Sequence, residues 1–378
     1  PVDLGFLDFL SLQARHHCCL EELRLNSRLA PHIYLEVVPI TGSAGHPVPE
    51  GRGEPIDWAV KMRRFDPDAL LGNPGQPLSP ALVDELAERI AAFHARAAST
   101  HASEYGTPQR AYAAMQQNFA QLRRHGKGGP QLDALEQWTA ATFAGAQALM
   151  WQRHANGHVR ECHGDLHLGN IALIDGEPVV FDAIEFNRSL YWIDTISDLA
   201  FLTMDLHHRG RSDLAVRLLN GYLQDSGDYE GLALLRLYEV YRALVRAKVA
   251  AIRQAQEGVD AVLHASLEEE LQAYLGLAQR LAGARARGLV ITHGVSGSGK
   301  SHATRDLPGT LPAIRVRSDV ERKRLLDLAP RQRATGVGGY APRVTEQTYA
   351  RLAELARLII EAGFIAIVDA TFLQHAQR

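Results

Sequence analysis

The apolar positions of this chain follow a helical spacing through most of residues 1–282. They recur every three or four residues over about 11–29, and again in an alanine-rich stretch that begins after the helix-start signal Ser79-Pro80. The same spacing predicts further helices at 109–122, at 131–150 and in the region up to about 282. This part of the chain is therefore predicted to be largely helical.

Two short extended runs lie near the start of the chain. His32–Ile40 and Trp58–Phe65 are rich in apolar residues, and the loop 41–55 between them is rich in glycine and proline. We therefore predict two antiparallel strands joined by this loop. A later apolar strand is predicted at Pro178–Asp182.

Beyond the last helical stretch, strands and helices alternate. The strand LVITH is followed by a glycine-rich loop, a helix, the strand AIRVRSD, a helix at 344–362 that stops at Gly363, and the strand FIAIVDA. This alternation is typical of a parallel α/β domain. The change of pattern predicts a linker at 283–288 between domains at 1–282 and 289–378.

Composition and charge narrow the class of protein. With 46% hydrophobic and 22% charged residues, the chain has the composition of a soluble globular protein. Its net charge of −3 gives no overall attraction to nucleic acid or to a membrane. Basic runs at Arg123–Lys127 and Arg315–Arg324 fit solvated helix ends or loops. No apolar stretch approaches the roughly 20 residues of a transmembrane helix.

Cysteine usage indicates the compartment. The three cysteines, Cys18, Cys19 and Cys162, cannot build a disulfide framework, and two of them are adjacent. We therefore expect a reducing, cytoplasmic setting.

The sequence GVSGSGKS carries the most specific motif. It fits G-x-x-x-x-G-K-[ST] at every fixed position and lies between a predicted strand and a predicted helix. Glycines let successive backbone N–H groups approach a phosphate, Lys300 would reach the outer phosphate oxygens, and Ser301 would bind Mg²⁺. The predicted nucleotide-binding residues are Gly294, Val295, Ser296, Gly297, Ser298, Gly299, Lys300 and Ser301. A strand-to-helix turn without a ligand is the alternative.

Two carboxylates support the P-loop interpretation. Asp369 ends an apolar strand, and Asp319 ends the strand before it in sequence. Both are expected at the carboxyl edge of one parallel sheet, beside the P-loop. Asp369 would help to hold Mg²⁺, and Asp319 would take the proton from an acceptor hydroxyl. Arg322 and Arg324 would bind phosphate or substrate, or else are surface residues.

Together, GVSGSGKS, RSDVERKRL and VDATF resemble the P-loop kinases of small molecules and polynucleotide ends, including gluconate-kinase-like and polynucleotide-kinase-like families. The resemblance implies that Asp319 serves as base or metal-side acid, and that later arginines close as a lid over the phosphates. The lid and last strands of such a domain would lie beyond Arg378. We therefore expect the natural protein to continue.

A second cluster, HGDLHLGN, directly follows Cys162. A zinc site is one interpretation, although adjacent Cys162 and His163 would point in divergent directions and no second ligand pair is obvious. A structural turn is another. Phosphotransfer fits better, because kinases use an Asp to accept the hydroxyl proton and an Asn five residues later to bind Mg²⁺. Asp165 and Asn170 have this spacing.

The third residue of that arrangement is supplied by a predicted hairpin. IALIDGEPVVFD predicts two strands that turn at Asp175-Gly176. This turn would bring Asp182 back beside Asn170, where a second Asp chelates the metal in kinase-type catalysis.

At this point the sequence resembles the aminoglycoside phosphotransferase (APH) family, also called choline/APH-like kinases, over most of 1–282. HGDLHLGN matches the family's H-G-D-x-H-x-x-N loop, FDAIEF its metal motif, and DTISDLAFL its D-x-x-x-D-L-A segment. The resemblance implies that Asp165 is the catalytic base and that Asn170 and Asp182 bind Mg²⁺. It also implies that His163 stabilises the loop and that Asp198 braces it. As an alternative, Asp198 is an ordinary helix N-terminal charge.

The resemblance implies a two-lobed, protein-kinase-like α+β domain. Its N-lobe would be 1–65 and its helical C-lobe 66–282, followed by the α/β P-loop domain with its parallel sheet. In this family an ATP-binding lysine precedes a helix that bears a glutamate partner.

Lys61, in WAVK, resembles that lysine. However, LAERIAAFHA resembles the helix that follows the hinge, which makes Trp58–Phe65 the last strand of the N-lobe. We therefore expect Glu22 to be the glutamate, with Glu21 next, and the lysine to precede Pro1.

Three functions are consistent with this sequence. The first is an ATP- and Mg²⁺-dependent tandem kinase, whose first domain phosphorylates a small-molecule hydroxyl and whose second acts on a small molecule or a polynucleotide end. The second makes one domain a regulatory nucleotide-binding module. The third is a nucleotide-dependent interaction protein of toxin or stress type. Neither the acceptors nor the oligomeric state follow from these residues, and a resistance role is one option among several.

Overall fold

The computed structural model describes residues 10–100, 104–256, 258–283, 286–305, 307–330, 332 and 341–377. The chain divides into two compact units. Unit 1 consists of Pro1–Leu82, Arg96–Ala111 and Ala148–Leu202, and unit 2 of Val83–Ala95, Tyr112–Gln147 and Thr203–Arg378.

Unit 1 opens with a helix packed on a small antiparallel sheet. Its elements are α1 (Leu12–Asn26), β1 (Tyr34–Ser43), β2 (His46–Pro49) and β3 (Asp57–Met62). The strand order is β2-β1-β3, with both pairings antiparallel. Ser11 caps α1 by accepting a hydrogen bond from the backbone N–H of Ala14 at 3.0 Å. The predicted helix and pair of strands are confirmed, with ends shifted by a few residues.

Two short strand pairs form the rest of the framework of unit 1. They are built from β4 (Val159–Glu161), β5 (Ile171–Ile174), β6 (Glu177–Val180) and β7 (Trp192–Asp194), and α5 (Arg188–Tyr191) precedes β7. β4 pairs antiparallel with β7, and β5 with β6. The turn between β5 and β6 consists of Asp175 and Gly176, both with positive φ, as a two-residue hairpin turn requires. The predicted hairpin is therefore confirmed.

Unit 2 combines long helices with the parallel sheet. The helices that lie in or run into it are α2 (Pro80–Arg96), α3 (Pro108–Arg124), α4 (Pro130–Ala155), α6 (Thr195–His208), α7 (Ser212–Ser226), α8 (Leu232–Gln254) and α9 (Ala261–Gly283). Leucines and alanines of α7 and α8 form a large part of the buried core. α8 packs along α9.

The α/β part of unit 2 has the predicted parallel sheet. Its elements are β8 (Gly288–Ile291), α10 (Lys300–Ala303), α11 (Leu307–Thr310), β9 (Ala313–Arg317), α12 (Ser318–Leu325), α13 (Pro342–Glu361) and β10 (Ile365–Asp369). The strand order is β8-β10-β9, and both pairings are parallel. This part contacts α7 and α8 within unit 2.

Two expectations for the basic run near β9 are corrected. Asp319 does not end a strand, because β9 stops at Arg317 and Asp319 lies in the first turn of α12. Arg315 is not solvated, because its side chain is only 14% exposed and forms an ion pair. No helix in the described part of the chain is long and apolar enough to cross a membrane.

Candidate active sites

The loop after β4 is held by one buried carboxylate. Asp198, in the first turn of α6, accepts the backbone N–H of His163 at 3.0 Å through Oδ2 and that of Gly164 at 2.9 Å through Oδ1. Gly164 has φ +87°, and a Cβ there would lie 2.8 Å from the carbonyl oxygen of Leu190. The loop therefore needs glycine at this position and an acceptor behind it.

His163 is fixed between two backbone groups. Its Nε2 lies 2.9 Å from the carbonyl oxygen of Phe181, and its Nδ1 lies 3.3 Å from the backbone nitrogen of Asp165. A carbonyl can only accept and an N–H can only donate, so Nε2 carries the proton and Nδ1 accepts. Burial lowers the pKa of His163, which keeps the ring neutral. The ring thus ties the loop to the chain that leaves β6.

Asp165 is oriented by two neighbours on its own loop. Asn170 donates from Nδ2 to the Asp165 side-chain Oδ2 and to its main-chain oxygen, both at 3.0 Å. His167 Nε2 lies 3.3 Å from the same Oδ2. Because His167 Nδ1 accepts the backbone N–H of Gly169 at 3.0 Å, its neutral ring carries the proton on Nε2 and donates it to Asp165. The carboxylate is thereby held in one rotamer while remaining partly exposed.

Asp182 lies beside this loop in an unusual backbone conformation. Its φ is +63°, and its backbone N–H donates to the hydroxyl of Tyr34 at 3.1 Å. The preceding residue, Phe181, donates its N–H to the carbonyl oxygen of Asn170 at 3.0 Å. Burial raises the pKa of Asp182, and the charge of Asp165 adds to the rise. The two acids are therefore close enough to repel each other.

Two further carboxylates complete an acidic cluster. Burial raises the pKa of Glu22, and the charge of Asp182 contributes. Burial also raises the pKa of Glu185 to about 7, with Glu22 and Asp182 as the charges that contribute. No lysine or arginine in the described ranges forms an ion pair with Glu22, Asp182 or Glu185. These acids therefore lack a built-in cation among the residues that the structure describes.

The helix that bears Glu22 is anchored to the end of β4, just before the loop. Arg24 donates to the Glu161 carboxylate at 2.7 and 3.0 Å, and Arg28 donates to the Glu161 main-chain oxygen at 2.7 Å and to that of Cys162 at 3.2 Å. Glu21 is occupied by an ion pair with Arg24 at 2.8 Å. Glu22, rather than Glu21, is therefore the glutamate of α1 that lies near Asp182.

Lys61 lies on β3 and points to a different set of acids. Its Nζ forms ion pairs with Glu36 at 3.2 Å and Glu50 at 2.8 Å. All three side chains are well exposed, and neither glutamate is part of the acidic cluster. The side chain of Lys61 is thus directed to the protein surface.

The P-loop follows β8 in unit 2. Gly294, Gly297 and Gly299 all have positive φ, at +138°, +81° and +83°, which lets the loop curl. The backbone N–H of Gly294 donates to the carbonyl oxygen of Thr371 at 3.1 Å, which ties the loop to the end of β10. Lys300 bends over the loop, with Nζ 2.5 Å from the carbonyl oxygen of Val295. The loop is therefore curled, and it is hydrogen-bonded to the chain just after β10.

Asp369 ends β10 next to the loop and is paired with a cation. Its Oδ2 lies 2.5 Å from Arg315 Nη2, and only 4% of its side chain is exposed. The same Arg315 nitrogen donates to the carbonyl oxygen of Ser301 at 3.0 Å. Asp319 is more exposed, and its Oδ2 accepts from Lys323 Nζ at 2.9 Å.

Asp319, Asp369 and part of the P-loop line one cavity of about 660 Å³. The cavity is bounded by P-loop residues on one side and by α12, α13 and the segment after β10 on the other. The predicted residues that line it are Ser296, Gly297, Ser298, Gly299, Lys300, Ser301, Asp319 and Asp369. Gly294 and Val295 are not among its lining residues. Arg322 lines it, whereas Arg324 instead pairs with Glu321.

Comparison with known proteins gives the family. The model of the family described as "Phosphotransferase enzyme family" matches residues 19–235, which is more than half of the chain. This chain belongs to the phosphotransferase enzyme family. A model described as "AAA domain" matches residues 289–378, so the predicted fusion is confirmed.

Curated relatives of this phosphotransferase cover nearly all of it. An uncharacterized protein of Mycobacterium tuberculosis H37Rv and one of Mycobacterium bovis are each 33% identical over 389 residues. Each alignment spans 98% of this chain and 74% of the relative.

Solved structures of two kinases each match part of this chain at low sequence identity. A glucosamine kinase matches with 16% identity and a TM-score of 0.41, over 68% of this chain and 70% of that one. The ethanolamine kinase of Plasmodium vivax matches with 10% identity and a TM-score of 0.40, over 69% and 71%. The two family matches and the parallel sheet β8-β10-β9 instead give the organisation: a part that belongs to the phosphotransferase enzyme family, followed by a P-loop part.

The acids of unit 1 offer a donor set that suits a divalent cation. Asn170 uses its Nδ2 for the two bonds to Asp165, which leaves its Oδ1 as the atom available to a metal. The raised pKa values of Asp182 and Glu185 show carboxylates that would gain from a nearby positive charge. Oxygen ligands of this kind suit Mg²⁺.

Sequence reasoning missed three of these residues. His167 orients Asp165, Glu185 joins the acidic cluster, and Arg315 pairs with Asp369. The pattern HGDLHLGN offered a signal for His167, because a second histidine two residues after the predicted base lies within reach of it. For Arg315 the only sequence signal was its position on a strand of the same predicted parallel sheet as the strand that leads into the P-loop.

Proposed function

We propose that this phosphotransferase is a tandem, ATP-dependent kinase with one site in each unit. The observation that carries the proposal is that each unit gathers its own acids. Asp165 and Asp182 come together beside Asn170 in unit 1, while Asp319 and Asp369 line one cavity with Lys300 in unit 2. A cytoplasmic location is part of the proposal, since none of the three cysteines, all of them within the described residues, forms a disulfide bond.

In unit 1, Asp165 would accept the proton of an acceptor hydroxyl. Its orientation by Asn170 and His167 supports this role, because a base acts efficiently only from one well-held position. Asn170 and Asp182 would hold Mg²⁺, with Glu22 and Glu185 near it. The bound Mg²⁺–ATP would supply the transferable phosphoryl group and the charge that offsets these acids. The acceptor that we propose is a small molecule.

In unit 2, Lys300 and the backbone N–H groups of the loop would hold the phosphates of a second ATP. Asp319 would act as the base, because it is the more exposed acid of the cavity. Ser301 and Asp369 would lie on the metal side. The acceptor would be a small molecule or a polynucleotide end.

A second candidate function makes unit 1 a regulatory nucleotide-binding module. Loss of the nucleotide-binding lysine from the N-lobe would favour it, and Lys61 does not take that role in the structure, because its Nζ pairs with two surface glutamates. The two functions differ in one measurable property: only the tandem kinase transfers a phosphoryl group in a reaction that depends on Asp165.

The test is a transfer assay with γ-labelled ATP on a panel of hydroxyl metabolites and oligonucleotides. Asp165→Asn and Lys300→Ala should each remove one labelled product by at least about a hundredfold and leave the other. Asp175→Asn, an exposed acid on the same hairpin as Asp182, is the matched control and should resemble wild type. If either single change removed both products, independent sites would be ruled out. If neither did, both assignments would be wrong.

A further inference from the structure

One arginine nitrogen links the two proposed metal residues of the P-loop site. Arg315 Nη2 lies 2.5 Å from the Asp369 carboxylate and 3.0 Å from the carbonyl oxygen of Ser301. Ser301 belongs to the helix that follows the P-loop, and Asp369 ends β10. The guanidinium is largely buried, so this bridge is screened weakly by solvent. The separation of the loop from Asp369 thus depends on where Arg315 is placed.

The placement of Arg315 depends in turn on α7. β9 is the edge strand of the order β8-β10-β9, and its outer side would leave backbone groups unpaired. Asn220 of α7 takes the place of a neighbouring strand there. Its Oδ1 accepts the backbone N–H of Arg315 at 2.7 Å, and its Nδ2 donates to the carbonyl oxygen of Ala313 at 2.9 Å.

A second residue of α7, one turn further on, holds the segment that carries Asp319. The main-chain oxygen of Gln224 accepts from Arg324 Nη2 at 2.8 Å, and its side-chain Oε1 accepts from Arg317 Nη1 at 3.3 Å. Arg317 precedes Asp319 and Arg324 follows it, so both ends of this segment are bound to one residue of α7. Helix α7 therefore contacts the α/β part beside Asp319, which lines the cavity of the P-loop.

We propose that Asn220 and Arg315 are positioning residues of the P-loop site, through which α7 sets the spacing between Ser301 and Asp369. α7 lies inside the range of the phosphotransferase family match, whereas the P-loop lies inside the other match. The P-loop chemistry thereby depends on a helix outside its own family segment. This inference rests on the proposed function, in that the P-loop binds Mg²⁺–ATP.

The bonds involved predict a graded series of variants. Arg315→Met removes both bonds of the bridge and leaves Asp369 without its cation, whereas Arg315→Lys keeps the charge with a single nitrogen. Asn220→Ala removes both bonds to β9, whereas Asn220→Asp keeps the acceptor for Arg315 and loses the donor. The defect should therefore be larger for Met than for Lys, and larger for Ala than for Asp.

Arg236→Met provides the matched control. Arg236 of α8 donates to the carbonyl oxygen of Gly363 at 2.7 Å and lies over the ring of Phe364 at 4.8 Å. It thus joins the same helical part to the same sheet, but at the opposite ends of the strands from the P-loop. A variant that only loosens the contact between these parts should lower the melting temperature like Asn220→Ala without a defect in the site.

The experiment uses the full chain and hydrogen–deuterium exchange of amides 294–301. AMP-PNP is added with Mg²⁺ or with a chelator, and Lys300-dependent phosphotransfer is measured in parallel. In wild type, Mg²⁺ should add protection to 294–301. Arg315→Met and Asn220→Ala should lose that added protection, and kcat should fall by about a hundredfold and about tenfold while KM for ATP stays within about twofold. Arg315→Lys and Asn220→Asp should retain part of it.

Two results would overturn the inference. If Lys300→Ala abolished protection while Arg315→Met and Asn220→Ala matched wild type, α7 would not position the site, although the P-loop function would stand. If Arg236→Met lost the Mg²⁺ effect as fully as Asn220→Ala, the role of Asn220 would be general docking alone. Failure of wild type to show any protection would instead contradict the proposed P-loop function itself.

Discussion

The two candidate sites organise their acids in opposite ways. In unit 1 the acids are positioned by hydrogen bonds to uncharged groups, since Asn170 and His167 donate to Asp165 and the Tyr34 hydroxyl accepts the N–H of Asp182. In unit 2, Arg315 and Lys323 pair directly with Asp369 and Asp319. Asp182 of unit 1 and the two glutamates near it pair with no lysine or arginine among the described residues, so a bound metal ion would stabilise them. A site that has its own cations keeps its shape without one.

The largest effect should come from Asp198, the carboxylate behind the loop that carries the proposed base Asp165. Asp198→Ala leaves two buried N–H donors, those of His163 and Gly164, without an acceptor, at roughly 2 kcal/mol each. If that loss falls on the loop, transfer from unit 1 should drop about a thousandfold. The Lys300-dependent product should be unchanged, which the labelled-ATP assay measures.

The control is Asp205→Ala, on the same helix and also buried, where the partner is Arg209. It should lose stability without this selective loss of transfer. Equal losses at both sites in Asp198→Ala would show that the carboxylate supports the whole fold rather than the loop of unit 1.

The next effect separates the two sites by the sign of a stability change. Asp369→Asn leaves Arg315 buried without its anion, which should destabilise the chain by about 3 kcal/mol. Asp182→Asn removes a carboxylate whose pKa is raised by burial and by Asp165, so stability should stay equal or rise. Denaturant unfolding of both variants in metal-free buffer measures the difference. A loss of similar size in both would remove the contrast between the sites.

A smaller effect is expected in the pH dependence of stability. Burial raises the pKa of Glu185 from 4.5 to about 7, so the folded chain holds a proton that the unfolded chain releases within this window. The contribution of this proton to the free energy of unfolding is therefore fully present below about pH 4.5, and it is lost as the pH rises through 7. Glu185→Gln should make the melting temperature fall less between pH 5 and pH 7.5.

Glu239 provides the comparison in unit 2. Burial raises its pKa to about 7 as well, but its hydrogen-bond partner is Thr203 rather than another acid. Glu239→Gln should also reduce the slope of melting temperature against pH between pH 5 and pH 7.5. Mg²⁺ with AMP-PNP should reduce the slope that remains in Glu239→Gln, because a cation near Glu22 and Asp182 would lower the pKa of Glu185. No response to Mg²⁺ in that variant would argue against a metal at the acidic cluster.

Much of unit 1 could be predicted because its geometry is local. The Asp175-Gly176 turn fixes the register of the hairpin, and the register returns Phe181 to Asn170. The loop residues that hold Asp165 lie within five positions of it. The role of Asp198 in holding the loop could be predicted only from the resemblance to a family, because an aspartate at a helix N-terminus is common without such a role.

The parts that could not be predicted depend on contacts between distant segments. Arg315 is 54 positions from Asp369 and 95 from Asn220, and its neighbours in sequence suggested a solvated basic run. The ion pair that anchors α1 could not be predicted for the same reason, since Arg24 and Glu161 are 137 positions apart. The pattern of charges along the chain does not predict which charged side chains become buried together.

The smallest expected effect tests whether Lys61, in the sequence WAVK, binds the nucleotide. Lys61→Met should leave KM for ATP in the Asp165-dependent reaction within about twofold of wild type, because Nζ is bound to Glu36 and Glu50 on the exposed face of the sheet. A lysine that held the phosphates would be needed in the ground state and in the transition state, so its loss would raise KM and lower kcat together. Steady-state kinetics at saturating acceptor distinguish the two, with Glu50→Gln as the control for the surface pair. A rise of KM by tenfold or more in Lys61→Met alone would mean that this side chain leaves its surface partners for the nucleotide, and unit 1 would then contain a built-in cation like unit 2.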